Sequence, residues 1–304
     1  MPTAGAALDA PVGAVPLEPM RTLSWYRHGR GDPTTELSSA GMWRASWTPD
    51  GPATVHLDWS SGAAVVESWG PGGDHAGRAA VAMLAADRVP PTPADVHPLV
   101  TEAARRHRGV RSGASVDLYH ALLPTILAQR ITSGEAVAQW RRLCVALGEP
   151  APSPRSDLLL PPHPDRLAGR PAWWFHPLGI EAKRARALAE VARLADRLWS
   201  WVAMPGDELS HRLALVRGLG PWTIGSVLGP VCGDDDAVAV GDYHLPALVA
   251  WNLAGEARAD DDRMLALLEP FRGQRGRVIR LLGLAGRRPP AFGPRRRILQ
   301  MHRW

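Results

Sequence analysis

Lysine is almost missing from this sequence. Its 304 residues carry 35 basic side chains, and Lys183 is the one lysine among them. An excess of arginine suits a polyanionic partner, although a GC-rich coding sequence produces the same bias. Cysteine is scarce too. Cys144 and Cys232 form no Cys-x-x-Cys pair, which excludes a thiolate metal knuckle or redox pair and predicts two small buried hydrophobes in a reducing compartment. The eleven histidines show no His-Glu-x-x-His or clustered spacing, so no transition-metal site is expected. No apolar run approaches the roughly 18 residues that a membrane span needs. The opening Met1-Pro-Thr-Ala-Gly-Ala-Ala-Leu lacks the basic stretch of a signal peptide, which predicts a cytoplasmic, nucleoid-associated protein with a flexible tail over 1–16. Internal repeats and low-complexity tracts are absent.

What is present divides into two parts. Up to Thr92 there are six Arg against nine Asp plus Glu, and the remainder holds 29 basic against 21 acidic residues. Within 17–92, alternating runs at Thr22 to Tyr26, Trp43 to Trp47, Thr54 to Trp59 and Ala63 to Trp69 are separated by Asp50-Gly51 and Ser60-Ser61-Gly62. This is strand and hairpin-turn chemistry. An apolar helix over about Gly77 to Ala86 completes a small antiparallel α+β domain. Pro90-Pro91-Thr92-Pro93 marks its boundary.

From 93 to 290 the pattern is helical. Ser115 is placed to cap a helix through Leu118, Leu122 and Ile126, kinked at Pro124. Thr132-x-x-Glu135 is a capping box for a helix whose stripe is Val137, Trp140, Cys144 and Leu147. Pro150 to Pro164 is a Pro-rich loop, and a long helix is expected from Glu181 to Val202. Asp234-Asp235-Asp236 reads as a solvated loop. Residues 291–304 form a basic tail. The fold class is therefore α+β: a small sheet domain, then a mostly all-α domain.

The most informative stretch is Leu213-Ala-Leu-Val-Arg-Gly-Leu-Gly-Pro-Trp-Thr-Ile-Gly-Ser-Val, a helix, a Gly-x-Gly turn and a second helix. Gly218 and Gly220 permit a tight turn with outward N–H groups, with Leu219 pointing between them. Pro221 suits the first helical position, and the helix N-terminus it opens, with Thr223, is an anion site. Such a hairpin grips phosphate without reading sequence. About twenty residues after Trp222, a lone Asp242 opens a further helix at Tyr243. Asp at a helix start is a good N-cap, and capping alone is one reading of it.

This hairpin with its aspartate resembles the helix-hairpin-helix DNA glycosylase superfamily. Leu122-Leu-Pro-Thr-Ile-Leu-Ala-Gln-Arg-Ile-Thr, Leu178-Gly-Ile-Glu-Ala-Lys-Arg-Ala-Arg-Ala-Leu and Glu269-Pro-Phe-Arg-Gly-Gln-Arg-Gly-Arg-Val narrow the likeness to the bacterial 3-methyladenine DNA glycosylase II family. These motifs stand in the family's order over residues 95–290. The resemblance implies an accessory sheet domain, a two-lobed helical domain with the cleft between lobes, and double-stranded DNA with damaged bases as the partner of a monomer. It implies Asp242 as the catalytic carboxylate and Trp222 and Tyr243 as aromatics of the base pocket. Arg130, immediately after Gln129, occupies the gap-filling position where the best-known relative has an aliphatic wedge. Gln129 itself bonds either local backbone or DNA.

No cofactor is implied, since this chain cannot build the four-cysteine iron–sulfur loop of related endonuclease-type enzymes. Carbonyls of the hairpin often hold a monovalent cation in the superfamily. The expected activity is excision of alkylated purines of the 3-methyladenine and 7-methylguanine type. Strand cleavage is not expected, because relatives that cleave carry a lysine where this chain has Trp222. An oxidised-guanine or mismatch glycosylase, or a non-catalytic helix-hairpin-helix DNA-binding protein, are the alternatives.

Overall fold

The computed structural model describes residues 3–7 and 17–290. The expected tail is therefore outside the described residues at 1–2 and 8–16, as is the whole basic tail over 291–304. An antiparallel sheet is built from β1 (Thr3–Ala7), β2 (Thr35–Leu37), β3 (Gly41–Thr48), β4 (Gly51–Asp58) and β5 (Val65–Trp69), in the order β1-β5-β4-β3-β2. The strand β1 falls within the expected tail. Its small residues carry no alternation, but the free edge of β5 offers backbone partners. The β3–β4 hairpin is closed by Thr48 opposite Gly51, where φ is +119°.

Period-2 alternation sorts the strands' side chains. Met42, Val55, Leu57 and Val66 pack on Ala76, Ala80 and Met83 of α2 (Gly73–Leu84), and Leu23 and Tyr26 join them. On the other face Trp43, Ala45 and Trp47 meet Leu158 and Leu160 of the Pro-rich loop. The run from Thr22 to Tyr26 is helical rather than a strand: α1 (Pro19–Thr22) continues as a 3-10 turn over Leu23–Tyr26. Pro19 starts the turn, and the i,i+3 pair Leu23 and Tyr26 buries on one side of it, so a short run suited either period.

Two larger hydrophobic cores stand out among the described residues of the helical part. The larger joins α4 (Leu118–Leu127), α5 (Ser133–Leu147), α7 (Ala182–Arg193), α8 (Ala195–Trp201), α9 (Gly206–Ala214) and α10 (Pro221–Cys232), with Trp140, Leu188 and Val227 inside, and α6 (Pro164–Ala168) against it. The smaller joins α3 (Pro98–Arg106), α11 (Leu245–Ala254), α12 (Asp261–Leu268) and α13 (Arg275–Ala285) around Val100, Val249, Met264 and Val278. Half of the capping box at Thr132 forms: the Glu135 N–H donates to Thr132 Oγ1, while the Glu135 carboxylate accepts from Gln139 Nε2. The cap of α4 is Asp117 rather than Ser115, which instead accepts from the Asp117 N–H. The expected helix over 181–202 is two helices broken at Leu194, whose N–H bonds back to Val191.

The acidic run is a staple, not a solvated loop. Asp236 pairs with the Arg275 guanidinium and accepts from the Gly273 and Arg275 N–H groups at the start of α13. Asp235 is buried and accepts from Ser112 Oγ. The same helix fastens the sheet layer: Arg280 donates to the carbonyls of Arg111, Arg21 and Thr22 and lies 3.7 Å over the Trp25 ring.

A second polar joint ties the sheet layer to the larger helical core. Asp32 accepts from the His28 and Thr34 N–H groups and from Trp140 Nε1. Burial alone would raise its carboxyl, but the neighbouring His28 and these donors hold it below the usual range. Burial drives the His28 imidazole down to about 4, against the pull of Asp32. His120 is held low for the same reason, beside Arg44 and Asp117.

Candidate nucleic-acid interface and active site

The hairpin lies between α9 and α10. Gly218 adopts φ +98°, and a Cβ there would stand 2.6 Å from the Ala187 Cβ on α7. Only glycine satisfies both the left-handed backbone and that close approach. Gly220 differs: it is extended at φ −100°, and a Cβ on it would meet nothing within 4 Å. It is the N-cap of α10 with no side chain capping the helix, and Pro221 follows. The first-turn N–H groups of α10 are thus left for an external acceptor, and the helix dipole favours an anion there.

The side chains of two expected DNA contacts face the hairpin's interior. Leu219 is 6% exposed, packs into the larger core and donates its N–H to the Val216 carbonyl. Thr223 is 1% exposed, and its Oγ1 accepts from Gln129 Nε2 at 2.9 Å. Gln129 also donates to the Gly218 carbonyl at 3.0 Å. The glutamine after α4 therefore clamps the turn through its local backbone.

Arg130 stands next to that clamp, exposed, with φ +60°. A non-glycine residue in this region carries roughly 1–2 kcal/mol of backbone strain. Arg130, Lys183 and Arg186 on α7, and Arg217 in the hairpin all expose their cationic ends, and none has an ion-pair partner among the described residues. Some exposed arginines elsewhere are matched within one helical turn, as in Arg193–Glu190 and Arg212–Glu208. Arg217 escaped the sequence reading, although its place between Val216 and Gly218 was a signal.

After α10 the chain turns at Gly233, φ +68°, and returns against the same helix. A Cβ on Gly225 would fall 2.1 Å from the Val238 carbonyl, so that glycine sets how closely the returning backbone lies. Gly241, φ +91°, then turns the chain into Asp242. Asp242 Oδ1 accepts from the His244 N–H at 2.7 Å and the Leu245 N–H at 2.9 Å, capping α11. The helix begins at Leu245, two residues later than the sequence suggests, with His244 at its N-cap position and Asp242 accepting from the N–H groups at its start. Oδ2 accepts from Trp222 Nε1, on the hairpin helix, at 2.8 Å.

Hairpin and aspartate are thus joined directly. Tyr243 is 87% exposed, edge-on to the His244 ring at 4.9 Å. Of the other tryptophans, Trp173 is 70% exposed, while Trp174, Trp199 and Trp201 pack on the larger core. Burial pushes the Cys144 thiol well up and that of Cys232 up to about 11, so neither is a thiolate nucleophile. Among the described residues no three His, Cys, Asp or Glu side chains gather as metal ligands.

No protein-family model matches the sequence, and no curated protein matches it. Solved structures do. The 3-methyladenine DNA glycosylase of Archaeoglobus fulgidus aligns at TM-score 0.73 with 14% identity, over 93% of this chain and 98% of that one. The 8-oxoguanine glycosylase/lyase of Clostridium acetobutylicum aligns at 0.62 with 12% identity, over 88% and 93%. The 3-methyladenine DNA glycosylase of Schizosaccharomyces pombe, solved with abasic DNA, aligns at 0.50 with 17% identity, over 62% and 91%. The chain has the fold of the helix-hairpin-helix DNA glycosylases.

Proposed function

We propose that this protein is a monofunctional DNA glycosylase that excises alkylated purines from double-stranded DNA as the first step of base-excision repair. The observation that carries the reading is the placement of Asp242: capped into α11 and bonded to Trp222 of the hairpin helix, next to an uncapped helix N-terminus suited to phosphate. The unpaired Arg130, Lys183, Arg186 and Arg217 extend that anion-binding surface.

In the reaction the C1′–N bond breaks and its electron pair leaves with the base. An N3- or N7-alkylated purine is already cationic and departs neutral, so no acid is required. Positive charge then develops on the sugar, where a fixed carboxylate in a water-poor site is worth far more than in water. Water adds at C1′ and gives up a proton, with Asp242 as its acceptor. Trp222 and Tyr243 offer π faces for a cationic base, each worth about 0.5–2 kcal/mol.

An oxidised-guanine glycosylase is the second reading, favoured by the fold likeness to the Clostridium structure. Strand cleavage through a Schiff base needs an amine. The sequence holds only Lys183, exposed on α7, and puts Trp222 two residues after Gly220. The test is a set of duplexes carrying 3-methyladenine, 7-methylguanine, hypoxanthine or 8-oxoguanine, with borohydride added in parallel. Release of the methylated bases with no trapped complex is expected. Preferential 8-oxoguanine release, or a trapped complex lost in Lys183→Ala, would overturn the reading.

A further inference from the structure

The geometry points to Trp222 as a positioning residue: its indole N–H holds the Asp242 carboxylate in register with the phosphate-gripping hairpin. The inference rests on the proposed glycosylase reading of Asp242, but the contact itself is tested separately below. A carboxylate has about four lone-pair directions. Two on Oδ1 are taken by the His244 and Leu245 N–H groups, and one on Oδ2 by Trp222 Nε1. A single direction on Oδ2 is left for a sugar cation or a water.

The backbone cap alone would fix Asp242 only relative to α11, which belongs to the smaller helical core. Trp222 is the second residue of α10, in the larger core that carries the hairpin. Its bond to Oδ2 therefore spans the two cores and sets the distance between the anion site and the charged oxygen. The backbone that carries the indole is tied within α10, where Ser226 Oγ donates to the Trp222 carbonyl at 2.6 Å. Catalytic constellations require such outside support, and its removal costs 10–100-fold in comparable ligand shells. The aromatic at this position thus acts through its N–H as well as through its π face.

Trp222→Phe keeps an aromatic face and removes the donor. Trp222→His returns a donor, because histidine Nε2 occupies the same ring position as indole Nε1. Both are measured in the full chain by single-turnover release from a 7-methylguanine duplex, beside affinity for an abasic-site duplex. Release by Trp222→Phe should fall about 10–100-fold with abasic-duplex affinity within a few fold, and Trp222→His should recover part of the loss. In an Asp242→Asn background, Trp222→Phe should cost nothing further, since the donor has no charge left to orient. Unchanged release in Trp222→Phe, or an equal loss in both backgrounds, overturns the inference.

The ¹⁵N–¹H indole resonance of Trp222, assigned by its disappearance in Trp222→Phe, is the arm independent of activity. It should move upfield in Asp242→Asn. An indifferent resonance overturns the contact. A responsive resonance in a protein that releases no base from any duplex leaves the contact standing and removes the proposed reaction.

Discussion

Asp242→Asn isolates the charge of the proposed catalytic group. The amide has the shape of the carboxylate, and its oxygen can still accept from the His244 and Leu245 N–H groups that cap α11. Its NH₂ would then face the Trp222 indole N–H, donor against donor, where the wild type has a 2.8 Å hydrogen bond. Losing that bond at a partly exposed site should cost about 1 kcal/mol of stability, a small drop in Tm. The effect on rate is larger. A unit charge about 4 Å from a developing sugar cation contributes on the order of 4 kcal/mol at an effective dielectric constant near 20. Removal of single electrostatic groups costs about 100–1000-fold in measured cases. Single-turnover release of 7-methylguanine should therefore fall at least about a hundredfold, with undamaged-duplex affinity within a few fold of wild type. Folded Asp242→Asn protein that releases the base at near-normal rate would refute the mechanism.

The two hairpin glycines should separate folding from binding. Gly218→Ala places a Cβ 2.6 Å from that of Ala187 at φ +98°, and an unfolding free energy lowered by roughly 1–3 kcal/mol in denaturant titration is expected. Gly220→Ala meets open space, so stability should stay within about 1 kcal/mol while affinity for all duplexes alike declines; a loss confined to lesion DNA would contradict phosphate gripping. If the arginine-rich surface covers about 3–5 phosphates, log affinity should fall with log salt at a slope of roughly −3 to −4, and Arg217→Ala should reduce that slope by about one. Salt-independent binding would remove the surface assignment. Finally, burial depresses His28 from 6.5 to about 4, with His120 and Arg44 adding to the shift against the pull of Asp32. The unfolded chain therefore binds the extra proton between those values, so the stability is fully present above pH 6.5 and lost as pH falls toward 4. On the order of 3 kcal/mol is involved, and denaturant titrations of His28→Gln should show a flatter pH dependence over that window.

Much of this molecule was legible because its signals are local. The Gly-x-Gly-Pro hairpin requires particular backbone angles at adjacent residues, Thr132 and Glu135 form their cap within one helical turn, and alternation marked β3, β4 and β5. Local pattern also located Asp242 ahead of a helix. It failed where one pattern served two structures: Thr22 to Tyr26 suits a strand or a 3-10 turn, and Leu188 to Val202 continues its apolar stripe through the break at Leu194. It failed again where charge is decided by distant partners. Asp235 and Asp236 read as solvated, but Ser112 and Arg275 fold onto them.

The sequence by itself determined the α+β division, the hairpin and the presence of one carboxylate at the expected spacing, since each depends on neighbours along the chain. Tertiary structure decided what those groups touch. Gln129 turned inward to clamp Gly218, the Leu219 and Thr223 side chains were withdrawn from the surface, and Trp222 was brought onto Asp242, twenty positions along the chain. Those contacts depend on how α4, α7, α10 and α11 pack, and packing is set by the whole core rather than by any segment of it.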